Sequence, residues 1–135
     1  VWDLVTDLAN MGRCSPENDG GKWLSKDGGP KLGARFMGKN SWQGNKWVAP
    51  VKITEFTEPK RFAFKMRFPL IGGSDWSFDI EPTSEGCKVI QTWTDRRTKA
   101  LVVIGGKVSG VPDRAPHTRM SMETTLDNLA QEVEK

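Results

Sequence analysis

From Gly33 onward, apolar and polar residues alternate along the chain with a period of two. This alternation is typical of β-strands that bury one face and expose the other. The alternating segments are separated by turn sequences at Gln43-Gly44-Asn45, Glu58-Pro59-Lys60 and Ser84-Glu85-Gly86. The pattern therefore predicts an antiparallel meander with one wet face and one buried face.

The predicted buried face carries most of the aromatic residues, including four of the six tryptophans. Because side chains alternate between the two sides of a strand, the positions that share this face follow from parity. They are Ala34, Phe36, Gly38, Asn40, Trp42, Trp47, Ala49, Val51, Ile53, Phe62, Phe64, Met66, Phe68, Trp76, Phe78, Ile80, Val89, Gln91 and Trp93.

Helical spacing appears at both ends of the chain. Residues 1–10 predict a short amphipathic helix, and residues 22–26 a strand followed by a turn at 27–30. At the other end, Asp113 is a suitable N-cap for a C-terminal helix of about five turns. Its apolar stripe is Thr118, Met122, Leu126, Leu129 and Val133.

The segment ALVVIGGKVSGV, residues 100–111, fits neither period clearly. Two interpretations remain open for it. Gly105, Gly106 and Gly110 provide hinges for a lid over the buried face, or the segment is an irregular connection.

Composition narrows the class of protein. The chain has 135 residues, enough for one domain with a core, and no apolar run approaches the ~20 residues of a membrane helix. Two cysteines without CxxC spacing argue against a zinc site and favour a reduced, cytoplasmic protein. Because the sequence opens at Val1 inside a helical pattern, we expect an N-terminal piece to be missing.

The net charge of +3 is spread along the chain, which predicts a solvated surface and no nucleic-acid partner. The charges concerned are Lys39, Lys46, Lys52, Lys60, Arg61, Lys65, Arg67, Arg96 and Arg97.

A curved sheet with one apolar face needs a cover, and the C-terminal helix is the only long element available. One helix is about 10 Å wide, narrower than a bent sheet of several strands. We therefore expect a cavity between the helix and the sheet.

Several short strings, in order along essentially the whole chain, resemble actinobacterial members of the polyketide cyclase/dehydrase group. This group belongs to the START-like, birch-pollen-allergen-like SRPBCC superfamily. The matching residues are Val1 to Leu8, Ser15-Pro16, Gly33, Arg35, Phe36, Gly38, Asn40, Trp47, Glu55, Pro59, Phe62-Ala63-Phe64, Trp76, Gly86-Cys87, Thr92-Trp93, Asp113-Arg114-Ala115, Met122 and Thr125-Leu126.

The resemblance implies an α+β helix-grip fold, in which a curved, seven-stranded antiparallel β-sheet wraps around a long C-terminal α-helix with an apolar pocket between them. This chain departs from that pattern in lacking the first strand and in having Cys14 where relatives tend to have tryptophan. A missing edge strand exposes backbone groups that another chain can pair, so a homodimer is possible.

Parity and resemblance together predict a ligand-binding set. Its members are Phe36, Asn40, Trp42, Trp47, Val51, Phe64, Trp76, Phe78, Gln91, Trp93, Met122 and Leu126. Asn40 and Gln91 are the informative positions because a buried amide without a partner costs roughly 1 to 3 kcal/mol. We expect each of them to meet a protein group, a water or a ligand.

Catalytic chemistry is less well supported, and we predict no catalytic residue, metal or cofactor. There is no tyrosine, and the only histidine, His117, is expected on the polar side of the helix at the surface. Glu55 and Asp95 have inward parity near strand ends and are interpreted as rim charges. Cys14 lacks an identifiable histidine partner and is interpreted as a buried structural thiol.

The sequence therefore predicts a protein that binds a small hydrophobic ligand, such as a lipid, an acyl chain or a polycyclic, polyketide-like compound. Two alternatives stay open. One is a polyketide cyclase or dehydratase that acts on such a ligand, and the other is a protein-interaction role in which the apolar mouth receives a partner's side chains.

Overall fold

A computed structural model describes residues 1–24, 28–111 and 113–134. Six antiparallel strands form one curved sheet in which every strand pairs with its neighbours in sequence order. In chain order the elements are α1 (Trp2–Thr6), a 3₁₀ helix (Leu8–Arg13), β1 (Asn18–Trp23), β2 (Arg35–Trp42), β3 (Asn45–Thr57), β4 (Arg61–Phe68), β5 (Gly72–Thr83), β6 (Gly86–Arg97), α2 (Lys99–Ser109) and α3 (Arg114–Glu134).

The predicted antiparallel meander is confirmed from β2 to β6. The β2–β3 hairpin turns at Gln43 and Gly44, whose φ angles of 49° and 86° are those that tight hairpin turns require. The first strand lies earlier than predicted, at Asn18–Trp23 in place of 22–26. Residues 25–27 of the predicted strand and turn lie outside the described residues.

Two predictions about helices need correction. The helix predicted over residues 1–10 ends at Thr6, and the 3₁₀ helix follows it over Leu8–Arg13. Residues 99–109 form α2, so an irregular connection there is wrong. The Thr98 hydroxyl caps this helix by accepting from the Leu101 amide, and Gly110 ends it in the left-handed conformation with a φ of 73°.

A β-bulge in β3 reverses the predicted parity of its last residues. Ile53 pairs with Phe64 but Glu55 pairs with Ala63, so one extra residue is inserted at this point. Beyond the bulge Phe56 packs against the core, and Glu55 lies on the convex face, where Arg61 Nε donates to it at 2.7 Å. The predicted inward parity of Glu55 is therefore wrong.

Charged residues form ion pairs across the convex face, as the alternation predicted. Arg61 bridges to Asp79 at 2.7 Å, and Asp75 accepts from Arg67 at 2.6 Å and from Arg96 at 3.0 Å. Partial burial raises the pKa of Asp75, but the two guanidinium groups outweigh this and hold that pKa below its usual value. These pairs are partly exposed, so each contributes little to stability.

The densely packed core lies between the N-terminal helices, the sheet and the later part of α3. Its fully packed members are Trp2, Val5, Leu8, Met11, Cys14, Ala34, Phe36, Ile53, Phe62, Phe78 and Leu129. Trp2 contacts Phe56 and Phe62 edge to face at 5.1 and 6.2 Å. Near the end of α3, Asn128 Nδ2 donates to the Cys14 carbonyl at 2.8 Å and fixes that end of the helix to the core.

The buried stripe of α3 differs from the predicted one. It consists of Thr118, Ser121, Thr125 and Leu129, whereas Val133 is 45% exposed. Met122 and Leu126 are half-buried beside this stripe. The helix therefore turns three small polar residues toward the sheet, and only Leu129 fills space in the core.

Gly73 lies where β5 approaches β4 too closely to leave space for a side chain. A Cβ atom at this position would lie 1.8 Å from the Met66 carbonyl oxygen, so Gly73→Ala should lower the free energy of unfolding by at least about 2 kcal/mol. The control is Gly105→Ala in α2, where a Cβ meets nothing within 4 Å. Alanine favours the helix there by roughly 0.5–1 kcal/mol. Urea denaturation measures both changes, and equal stability of the two variants would contradict this account.

Candidate functional site

A cavity of about 540 Å³ lies between the concave face of the sheet and the helices α2 and α3. It occupies the part of the concave face that the packed core leaves uncovered. Ten of the twelve residues predicted from the sequence line it: Phe36, Asn40, Trp47, Val51, Phe64, Trp76, Phe78, Gln91, Trp93 and Met122.

The sheet side of the cavity is an aromatic wall made by residues that face one another across neighbouring strands. Phe64 pairs with Trp76, and Trp76 pairs with Trp93. The first two rings stack at 6.4 Å with an interplanar angle of 16°, and the two indoles lie 6.3 Å apart. Such pairs stabilise the sheet beyond the burial of their area. They also give the cavity a continuous apolar surface.

Two predicted residues do not line the cavity. Trp42 is the last residue of β2, and its ring packs edge-on against His117 at 4.5 Å. Leu126 packs against the core cluster, toward the end of α3 that Leu129 fills. Strand parity placed Trp42, and helical spacing placed Leu126, between the sheet and α3. Neither pattern reveals where the cavity ends within that layer.

Met122 is the one predicted ligand-binding residue that lies on the helical side of the cavity. Leu101, Ile104, Gly105 and Val108 of α2 line it, as do Thr118, Ser121 and Thr125 of α3. The spacing of three and four between Leu101, Ile104 and Val108, with Thr98 as cap, was the available signal for α2. Thr118 belonged to the predicted stripe of the C-terminal helix, but nothing in the sequence pattern marked Ser121 and Thr125 as wall residues.

β3 and β4 separate beside the cavity. Their first paired residues are Val51 and Met66, so residues 45–50 of β3 have a partner only in β2. The Ile53 amide donates to Ala34 of the β2 segment, and amide directions alternate along a strand, so the nitrogen of Pro50 faces the β4 side. Proline has no N–H to donate there, and β4 ends at Phe68, so the pairing does not continue beyond Val51.

Helix α2 covers this gap only loosely. Leu101 is buried, but Val103 and Ile104 are 58% and 51% exposed. Gly110, at the end of the helix, lies close to the side chain of Asn45 at the start of β3. Trp47 and Phe68 on the two sides of this gap line the cavity together with Ile104 of α2, which makes the gap a candidate entrance.

Polar groups without partners face this apolar space. Gln91 Oε1 is buried and has no hydrogen-bond partner within residues 1–24, 28–111 and 113–134. Asn40 also lines the cavity, and its amide makes no side-chain hydrogen bond to the described part of the chain. A buried acceptor without a donor costs about 1–3 kcal/mol. These two amides are therefore polar groups in an otherwise largely apolar cavity.

One corner of the cavity is charged. Glu17, a buried residue that lines the cavity, accepts from Arg114 Nη1 at 2.8 and 2.9 Å through its two carboxylate oxygens. The guanidinium of Arg114 lies over the Trp47 ring at 5.7 Å. This arrangement joins the first turn of α3 to the segment before β1.

His117 belongs to the same corner, which corrects the prediction of a surface histidine. Its side chain is 11% exposed, with Nε2 against Glu17 Oε1 and the ring against Trp42. The prediction failed because the face of α3 that turns toward the sheet was misplaced, so the side that was expected to be polar packs against the β2–β3 hairpin.

The comparisons with known proteins agree with this architecture. The model of the family described as polyketide cyclase / dehydrase and lipid transport matches residues 1–134. The chain belongs to this family. No curated protein matches the sequence significantly.

Two solved structures resemble this family member. A polyketide-cyclase-like protein from Corynebacterium glutamicum, solved by NMR in solution, is 25% identical with a TM-score of 0.57, covering 98% of this chain and 83% of that one. A protein from Nitrosomonas europaea, solved by crystallography, is 16% identical with a TM-score of 0.52, covering 87% and 74% of the two chains. The second likeness concerns the fold alone.

A second arginine of this polyketide cyclase/dehydrase and lipid transport family member also lines the cavity. Arg97 was expected on the solvated surface, but its side chain is 15% exposed and lies over Trp93 at 5.9 Å. It donates through Nε and Nη2 to Asp95 at 2.8 and 2.7 Å, and this pairing holds the pKa of Asp95 below its usual value. Asp95 is partly exposed, consistent with a rim charge.

The remaining candidate chemistry is limited. Burial raises the pKa of the Cys14 thiol, which disfavours the reactive thiolate and confirms the prediction of a buried cysteine. Within the described ranges, no three residues of His, Cys, Asp or Glu gather as a metal site. None of the helices that the structure describes is long and apolar enough to cross a bilayer.

The unpartnered oxygen of Gln91 predicts a variant that is more stable than the original protein. Gln91→Leu removes an unsatisfied buried acceptor and should raise the free energy of unfolding of the ligand-free protein by about 1 kcal/mol. Gln131→Leu, on the exposed surface of α3, is the control and should change stability by less than about 0.5 kcal/mol. Urea denaturation of ligand-free protein distinguishes them. A loss of stability in Gln91→Leu would show that this amide has a partner.

Proposed function

We propose that this protein binds a small hydrophobic molecule, such as a lipid, an acyl chain or a polycyclic, polyketide-like compound, in the cavity beneath α2 and α3. The observation that carries the proposal is the volume of about 540 Å³ between an aromatic wall and a helix face of small residues. Ligand pockets in proteins typically measure about 300–1,000 Å³ and have mostly apolar walls with a few polar groups.

The aromatic wall supplies the driving force for binding. Each Å² of apolar surface removed from water contributes about 25 cal/mol before the cost of association is subtracted. Because strand pairing fixes Phe64, Trp76 and Trp93, the wall is formed before a ligand arrives. Little binding energy is then spent on ordering side chains.

Asn40 and Gln91 give the ligand a direction. Both lie among apolar residues, and their amides accept and donate hydrogen bonds without charge. A ligand with a hydroxyl or carbonyl group satisfies them, whereas a plain hydrocarbon leaves them unpaired. The family description, which includes lipid transport, agrees with a ligand of this kind.

The proposal predicts that filling the cavity abolishes binding without unfolding the protein. Ser121→Leu adds a larger side chain on the cavity face of α3, so we expect at least about a tenfold loss of affinity, because the ligand competes for that volume. Ala130→Leu, on the exposed side of the same helix, should bind as the unchanged protein does. Quenching of tryptophan fluorescence by a fatty acid and by a polycyclic aromatic compound measures the affinity.

Native mass spectrometry of the purified protein complements this titration by detecting co-purified ligand. If neither compound binds and no small molecule co-purifies, the proposal fails. If Ser121→Leu binds as well as Ala130→Leu, the ligand site lies elsewhere.

A polyketide cyclase or dehydratase is the second candidate, favoured by Glu17, which lines the cavity and also contacts His117. A carboxylate there can take a proton from a carbon between two carbonyl groups. The carbanion then attacks another carbonyl of the same chain, and the proton returns to the resulting alkoxide.

The enzyme candidate predicts turnover of a poly-β-keto thioester analogue, followed by mass spectrometry of the products. Glu17→Gln should reduce the rate at least about 100-fold, since it removes the base and keeps a similar shape. Glu123→Gln, on the exposed side of α3, is the matched control. Binding without turnover by the unchanged protein would leave the binding function and eliminate the enzyme.

A further inference from the structure

The charged corner of the cavity contains a guanidinium group that is only partly used. Arg114 reaches Glu17 through Nη1 alone, and its Nη2 and Nε make no hydrogen bond to the described part of the chain. The side chain is largely buried and lines the cavity. Its second edge carries parallel N–H groups, the geometry that binds both oxygens of a carboxylate.

Arg97, the other arginine of the wall, provides a useful contrast. Its Nε and Nη2 edge is already occupied by the two oxygens of Asp95. An incoming carboxylate therefore finds a complete fork at Arg114 and not at Arg97. The two arginines are otherwise alike, because each lies over a tryptophan of the wall.

The charge balance of the corner also favours an anion. The negative charge of Glu17 is matched by Arg114, with His117 on its other side. Lys46 lines the same cavity and forms no ion pair with any residue that the structure describes. Among Glu17, Arg114 and Lys46, the positive charge of Lys46 is therefore left without an ion-pair partner within the described residues.

The beginning of α3 adds two further kinds of hydrogen-bond donor, the unpaired amides of its first turn and the Thr118 hydroxyl. Unpaired amides give the start of a helix a partial positive charge, and α3 begins at Arg114. One turn later, Thr118 lines the cavity, is 3% exposed, and its hydroxyl has no partner within the described residues. A hydroxyl that faces the cavity can donate a hydrogen bond to an anion there.

We propose that the ligand is an amphipathic carboxylic acid whose carboxylate binds Arg114 and the Thr118 hydroxyl while its hydrocarbon part lies along Phe64, Trp76 and Trp93. This inference rests on the proposed binding function and specifies the class of ligand. Lys46 attracts the anion from the cavity rim, and Asn40 and Gln91 meet any further oxygen atoms along the molecule.

A matched set of ligands tests the head group separately from the pocket. Dodecanoic acid, dodecanol and methyl dodecanoate share one chain and differ in charge, and at about pH 8 the acid is ionised. Displacement of a fluorescent polycyclic probe measures the three affinities. We expect the acid to bind at least about tenfold more tightly than the alcohol and the ester, because only the acid forms a charge-assisted pair with Arg114.

Two double variants locate the head group without leaving a buried charge unpaired. Arg114→Gln with Glu17→Gln removes both partners of the corner pair, and should bring the affinities for acid and alcohol within about threefold of each other. Arg97→Gln with Asp95→Asn removes the equivalent pair at the other wall, and should keep the preference for the acid. Thr118→Val, a substitution of similar shape, should weaken the acid alone.

The outcomes separate the two proposals. Equal binding of acid, alcohol and ester by the unchanged protein would overturn the carboxylate assignment and leave the hydrophobic pocket in place. A preference lost in the Arg97 and Asp95 variant but kept in the Arg114 and Glu17 variant would also overturn it. Failure of all three ligands and of the probe to bind would instead contradict the proposed function itself.

Discussion

The cavity in this protein depends on a difference in side-chain volume between the concave face of the sheet and the facing side of α3. The sheet presents large rings at Phe64, Trp76 and Trp93, whereas α3 presents Thr118, Ser121 and Thr125. Protein interiors are normally packed as densely as organic crystals. Small residues on a helix that is fixed elsewhere leave a gap which neither surface can close. Larger residues at these helix positions would fill that gap and produce an ordinary core.

Helix α3 stays separated from the aromatic part of the sheet because its two halves are held by different interactions. Leu129 and the bond from Asn128 to the Cys14 carbonyl hold the later half against the packed core. The first half is held by Glu17, which joins Arg114 to the segment before β1. The helix is therefore fixed at the core and at the corner pair, and the cavity lies between these two points. The Glu17–Arg114 ion pair thus holds the first half of α3, and apolar packing of Leu129 holds the later half.

Much of this arrangement was predictable because β-sheet parity is a strong rule. Phe36, Phe64, Trp76 and Trp93 line the cavity as alternation predicted. The rule failed at Glu55, where the bulge after Ile53 inserts a residue that no local composition announces.

Helical periodicity gave less secure predictions. For α3, the hydrophobic stripe suggested that Met122 and Leu126 face the sheet, but the cavity changes what that face requires. A helix beside a hollow does not need large apolar residues there, so hydrophobicity alone does not identify its inward side. His117 was misplaced for the same reason. Helix α2 was missed because its glycines resemble those of a loop, although a threonine cap and a left-handed glycine define both of its ends.

Pro50 has a consequence that extends beyond the strand containing it. A sheet with a free stretch of backbone tends to recruit another strand, either from its own chain or from a neighbouring molecule. Because Pro50 has no N–H on the β4 side, it disfavours pairing at this position both with β4 and with a strand of another molecule. A residue that lacks an N–H in β3 thereby helps to keep the two strands apart beside the cavity and disfavours self-association there.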